Sequence, residues 1–319
     1  MKSVTQLARR DFLQMTAIAG AVAASPGAFA EPAKDIPIVD THTHFYNPER
    51  VGGVPWPGKG DSVLFRAVLP PEFVKLTKPL GVTGTVVVEA SPLLEDNQWL
   101  LDLAKNEPVI LGVIGNVKPG SEGFAEHIRR FARNEIYRGI RINVGDLRKG
   151  LAQPEYLRDL KTFADLGLTL DVNGGPDTPA EVAKLAKEIP DLTICINHCG
   201  NVRIDGNEPP ADWLAGMKAA AEHKNVFCKV SALVEGTGKR EMDAPRDVVF
   251  YQPILDSVWN IWGEDRLIYG SNWPVSVRFA SYETVLAIAR EYFGKRPRAV
   301  QEKFFAGNAQ NAYRWKQRP

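Results

Sequence analysis

Two histidines one residue apart, His42-Thr43-His44, close an apolar, β-branched run that begins at Ile36. On a strand, residues two apart share a face. Asp40, His42 and His44 are therefore expected on one side, with the two imidazoles about 7 Å apart. That spacing lets both rings reach one ion, and His198 from a distant run would supply a third nitrogen. Three neutral imidazoles can hold Zn²⁺ or a similar divalent ion and leave a position for water. The same rings could act without a metal, hydrogen-bonding an anionic substrate or its carbonyl oxygen. Other chemically able residues close other apolar runs: Glu89, Arg141, Asp171 with Asn173, Lys229 with Ser231, and Asn272. An ionisable side chain in a strand core is costly unless it is paired or used. Six separate runs each placing an ionisable group at the same rim favour one shared site over scattered ion pairs.

The elements that must position these groups repeat one alternation. Strand-like runs occur at Ile36–Phe45, Gly84–Ser91, Val109–Asn116, Tyr137–Val144, Leu168–Gly174, Thr193–Gly200, Val226–Leu233 and Leu267–Val275. The intervals carry helical spacing, as in Glu122–Arg133 and Glu155–Leu166. Thr178-Pro179-Ala180-Glu181 reads as an N-cap, a first-turn proline and an acidic first turn. Eight β-then-α units predict a parallel sheet closed into a (βα)₈ TIM barrel, an α/β fold. An open doubly wound sheet would carry a Gly-rich phosphate loop after its first strand, and His44-Phe45-Tyr46-Asn47-Pro48 stands there instead. In a barrel the last inward residues of the strands meet the substrate. The long loops Asn47–Ser62, built around Trp56, and Glu235–Val248 are expected over that mouth. His127 and His223 read as surface or helix-end residues. Cys195 and Cys199 alternate against His198 and are expected to face the outer helices, and Cys228 is expected to pack.

The 319 residues carry 39 basic and 38 acidic side chains, 44% apolar residues and 3 cysteines. That is ordinary globular composition with no field to attract nucleic acid and no disulfide framework. The N-terminus differs from the rest. Arg9-Arg10-Asp11-Phe12-Leu13, an uncharged stretch from Met15 to Ala24, and Ala28-Phe29-Ala30 have the parts of a twin-arginine signal peptide. Residues 1–30 are expected to direct the chain to the twin-arginine export machinery and to be removed by signal peptidase, leaving residues 31–319 as one barrel domain in the periplasm or outside the cell. The apolar stretch is too short to span a membrane, which takes about 20 residues.

Several motifs together resemble the amidohydrolase 2 branch of the amidohydrolase superfamily. They are Ile38-Val39-Asp40-Thr41-His42-Thr43-His44, Val87-Val88-Glu89-Ala90, Arg138-Gly139-Ile140-Arg141, Asn197-His198-Cys199-Gly200, Lys229-Val230-Ser231 and Arg266 through Trp273-Pro274. More narrowly they resemble its lactonase-like group, which includes fuconolactonase and 2-pyrone-4,6-dicarboxylate lactonase. The resemblance implies a distorted barrel that hydrolyses a lactone of a sugar acid or dicarboxylic acid. It implies that His42, His44 and His198 form the carbonyl-polarising or metal-binding wall, with one divalent ion in some relatives and none in others. It makes Arg141 and Lys229, with Trp56 and Trp273, candidates to bind a small anionic or polyhydroxylated substrate.

One position departs from the pattern. Relatives commonly carry Asp as general base where this chain has Asn272, and an amide cannot take a proton at neutral pH. Glu89 or Asp171 could serve instead, or a metal-bound hydroxide could need little help. An amidohydrolase-type decarboxylase of an aromatic or muconate-like acid is the alternative reading. A ligand-binding barrel weakened by the loss at position 272 is the second.

Overall fold

In the computed structural model, residues 35–316 and residue 318 are described. The expected export segment lies outside the described residues. Eight strands run in chain order around one parallel sheet: β1 Ile38–Thr43, β2 Val82–Val88, β3 Ile110–Gly115, β4 Tyr137–Asn143, β5 Thr169–Asn173, β6 Thr193–Ile196, β7 Val226–Val230 and β8 Leu267–Tyr269. A helix follows each strand before the next begins. The predicted helical spacing is what packs them. Pro154–Asp165 buries Tyr156, Leu160 and Phe163, and Phe124–Ala132 buries Phe124, Ile128 and Phe131, the apolar stripe of a helix laid on a sheet. Helix Thr178–Glu188 begins at the expected cap residue itself, and its N-cap is Asp177, one residue earlier. Thr178 lies in its first turn and donates Oγ1 to Gly175 O at 2.7 Å.

β8 is only three residues long, and it closes the barrel against β1 without a regular ladder. Thr41 Oγ1 donates to Tyr269 O at 2.6 Å, and His44 N donates to Trp273 O at 2.9 Å. Gly270 permits this approach, because a Cβ there would sit 2.9 Å from His42 Cβ. The opposite end is stoppered by the last helix, Asn308–Tyr313. Asn308 Nδ2 donates to Leu267 O at 2.9 Å, and Thr169 Oγ1 donates to Ala312 O at 2.6 Å. Ala309, Ala312 and Tyr313 join Val86, Val88, Ile114 and Ile268 in a cluster inside the barrel.

Several strands stop earlier than the sequence suggested. β6 ends at Ile196, β7 at Val230 and β8 at Tyr269. Just beyond them the backbone turns left-handed, at His198 (φ 57°), Ala232 (φ 53°) and Asn272 (φ 60°). Asparagine enters this region more readily than most residues, and His is also enriched there; alanine is not. Such strain persists where the surroundings over-determine it and collects at functional sites. The site side chains are therefore aimed by turns past the strand ends, and period-two alternation does not reach them. Cys195 illustrates the consequence: it lies in the inner cluster with Tyr313, not against the outer helices.

Candidate active site

The β1 register slips between Asp40 and Thr43, and this separates Asp40 from the histidines. Asp40 turns toward the outer helices, where Oδ2 accepts from Tyr282 OH at 3.0 Å and Oδ1 from Ser271 N at 2.9 Å. Its carboxyl is pushed up by burial. It does not share the inner face as expected, because a bulge changes the parity of every residue after it. His42 and His44 do face the interior. Their ring centroids are 5.1 Å apart, and His198 lies 4.3 Å from His42. His44 donates Nδ1 to Val88 O at 2.9 Å and sets Nε2 3.3 Å from Asn272 Oδ1. His198 Nδ1 meets Ser231 Oγ at 2.8 Å. All three rings are held neutral. Burial drives them down first, helped at His198 by Lys229 and at His44, which falls to about 3, by Arg141.

The four charged candidates resolve into two pairs. Arg141 donates Nε to Glu89 Oε1 at 2.8 Å and Nη2 to Glu89 O at 2.9 Å. Glu89 thereby clamps a guanidinium, and its expected role as a base does not match this placement. Lys229 and Asp171 are sealed, each side chain 0% exposed. Lys229 Nζ donates to Asp171 Oδ2 and to Thr41 O, both at 2.8 Å, and Tyr313 OH donates to Asp171 Oδ1 at 2.8 Å. Neither residue can meet a substrate or a water there. The expectations of Asp171 as base and Lys229 as a substrate contact are corrected: they are the charged floor beneath the histidines.

Above that floor opens a cleft of about 440 Å³, lined in part by His44, His198, Arg141, Trp56, Asn272 and Glu235. Trp56 takes its expected place, its ring 6.1 Å from that of His44 and 5.4 Å from that of Tyr46. Trp273 does not. It is buried between Phe45 and Phe73 in the outer core, so its substrate-binding assignment is withdrawn. Asn272 joins two walls, donating Nδ2 to Glu235 Oε1 at 2.8 Å. Glu235 lies on the four-residue helix Leu233–Gly236 that follows the left-handed Ala232. Its Oε2 is shielded and has no partner, and burial pushes the carboxyl up to about 7. Sequence reasoning placed its loop over the mouth but did not single it out. The available signal was a carboxylate four residues after Ser231, at the head of a polar loop. Arg278, another lining residue, pairs with Asp61 at 3.3 Å and ties the β1 loop to the β8 loop.

The fit of a metal turns on the free ring nitrogens. His42 Nε2 is buried without a partner and is available. His198 gives Nδ1 to Ser231, which orients the ring and leaves Nε2, while His44 turns one nitrogen to Val88 O and the other to the Asn272 amide. Among the described residues no three His, Cys, Asp or Glu side chains form a group that could hold an ion. The three rings are adjacent; in this arrangement His42 and His198 each keep a nitrogen for an ion, and the expected third, His44, has both of its nitrogens engaged.

The barrel, with its polar groups gathered at one mouth, defines an α/β-barrel enzyme of the amidohydrolase type. The amidohydrolase family profile matches residues 39–315, and the chain belongs to that family. It is 31% identical over 289 residues to an L-fucono-1,5-lactonase of Burkholderia ambifaria, covering 86% of this chain and 95% of that one. Its fold is also that of a zinc-bound amidohydrolase from Burkholderia multivorans, with a TM-score of 0.76, 24% identity, and 88% of this chain and 99% of the other covered. A probable 2-pyrone-4,6-dicarboxylic acid hydrolase from Acinetobacter baumannii, solved with citric acid, superposes with a TM-score of 0.66 and 19% identity over 87% and 99% of the two chains.

Proposed function

We propose that this protein hydrolyses the lactone of a sugar acid, opening the ring ester to the free hydroxy acid. The observation that carries this reading is the cleft lining: a clamped guanidinium, neutral imidazoles and an amide beside one tryptophan face. Such a surface suits a polyhydroxylated ring, with an apolar face to stack and many oxygens to bond. The L-fucono-1,5-lactonase similarity along nearly the whole barrel supports the same substrate class. Arg141, held by Glu89, is the fixed charge available to the oxyanion that forms when water adds to the carbonyl. His42 and His198, both neutral, complete the polar wall.

The experiment is a panel of 1,4- and 1,5-aldonolactones assayed by proton release, before and after exhaustive chelation with metal content measured in parallel. Turnover of at least one lactone is expected, and it should survive chelation because the chain's own groups supply the polarisation. Activity lost on chelation and restored by zinc or manganese would move that role to an ion. Release of CO₂ from aromatic or muconate-like acids, with no lactone opened, would favour the decarboxylase reading.

We also infer that residues 1–30 are a twin-arginine export signal, supported by the Arg9-Arg10 pair and Ala28-Phe29-Ala30. N-terminal sequencing of protein from the periplasmic fraction is expected to begin at Glu31. An intact Met1 terminus in the cytoplasm alone would end this inference.

A further inference from the structure

The carboxylates near the cleft differ in what they have left to give. Glu89 Oε1 is bonded to Arg141 and Asp61 is paired with Arg278. Asp171 gives both oxygens to Lys229 and Tyr313, and Asp40 faces the outer helices. Glu235 gives Oε1 to Asn272 and keeps Oε2 unpartnered at the cleft wall. A shielded carboxylate oxygen without a donor is costly, so it calls for a proton or a water.

We propose that Glu235 is the general base of lactone hydrolysis, standing on the β7 loop in place of a carboxylate at position 272. This rests on the sugar-lactone reading above. Oε2 takes a proton from water as the water oxygen bonds to the lactone carbonyl carbon and the carbonyl pair moves onto oxygen. When that pair returns, the ring C–O bond breaks. The departing ring oxygen then takes the proton from Glu235, and the product is the hydroxy acid. Asn272 serves both halves of this cycle. Its Nδ2 donates to Oε1 whether or not Oε2 carries the proton, and so holds the carboxyl in place throughout. A second carboxylate at 272 could not do so, because two such groups at this distance compete for one proton.

The groups that face Glu235 come from every element around it. Arg278 from the turn Val275–Arg278 draws its carboxyl down, while burial, the larger effect, drives it up to about 7. Tyr251 from helix Val248–Trp262 feels its charge, and Arg240 lines the same cleft. A base with that affinity is half ionised near neutral pH, where general bases work best.

The test compares wild type, E235Q and N272D on the lactone that wild type hydrolyses best. Wild-type kcat should rise with pH through about 7 and level off, because the base must be ionised. E235Q should lose about 10²–10⁴-fold in kcat, with KM within a few-fold and no break near neutrality. Thermal unfolding of E235Q at pH 8 should match or exceed wild type, since the substitution removes a desolvated charge; E235D, keeping a carboxylate, should retain the break at reduced rate. N272D should move the break to higher pH. Wild-type-like rates and an unchanged break in E235Q would overturn the assignment while leaving lactone hydrolysis standing, as would an N272D enzyme faster than wild type at neutral pH. A wild type inactive on every lactone would overturn the functional reading and this assignment with it.

Discussion

Lys229→Met is expected to destabilise the barrel by about 3–5 kcal/mol, because it leaves Asp171 charged and unpaired in the interior. For a chain of this size that corresponds to a fall in Tm of roughly 5–8 °C. The argument is geometric. Both side chains are 0% exposed, and water has no route to replace the lost ammonium. Among the described residues Tyr313 would remain as the only side-chain donor to Asp171, through one hydroxyl at 2.8 Å. Lys229 also holds Thr41 O at 2.8 Å and lies 3.4 Å from His42 Nδ1, so its loss frees the strand that carries the histidines. The double variant K229M/D171N removes the orphaned charge and should recover most of the stability, since uncharged replacements of a buried pair are often neutral. Denaturant titration of the three proteins checks this. A single variant within 1 kcal/mol of wild type would show that the pair does not carry the floor.

The same pair shows how far the sequence could be read. That ionisable residues at 171 and 229 needed partners or work followed from their strand positions. That they are each other's partner depends on β5 and β7 flanking β6 and on the C-terminal helix bringing Tyr313 beneath them. The eight strands and the parallel barrel were legible because each unit repeats a local pattern. The histidines were legible as a group, but their partners were not. His198 and Asn272 project from left-handed residues past the strands, where alternation no longer assigns a side. Asp40 was misplaced by a bulge inside β1, and Trp273 by adjacency to a site residue whose side chain points the other way. Glu235 was hidden for a related reason. It is carried by a four-residue helix whose direction is set by Ala232, a residue with no chemistry of its own to attract notice.

Arg141→Met should lower kcat by about 10²–10³-fold, the loss typical when one oxyanion donor is removed, while KM changes little. The guanidinium is already fixed before substrate arrives, by two bonds to Glu89 at 2.8 and 2.9 Å, so no ordering is needed when charge develops. Arg141→Lys should recover only a small part. An ammonium cannot make both bonds to Glu89 in a rigid fork and still present a charge at the same point of the cleft. Glu89→Gln separates clamp from base. The amide oxygen of glutamine can still accept from Arg141 Nε, so the variant should keep activity within about tenfold of wild type, whereas removal of a general base costs about 10²–10⁴-fold. Steady-state kinetics of R141M, R141K and E89Q on one lactone, each beside its thermal unfolding curve, distinguish these cases. Equal losses in R141M and E89Q, with both proteins folded, would mean that Glu89 does more than hold Arg141, and the division of labour between Glu89 and Glu235 would have to be redrawn.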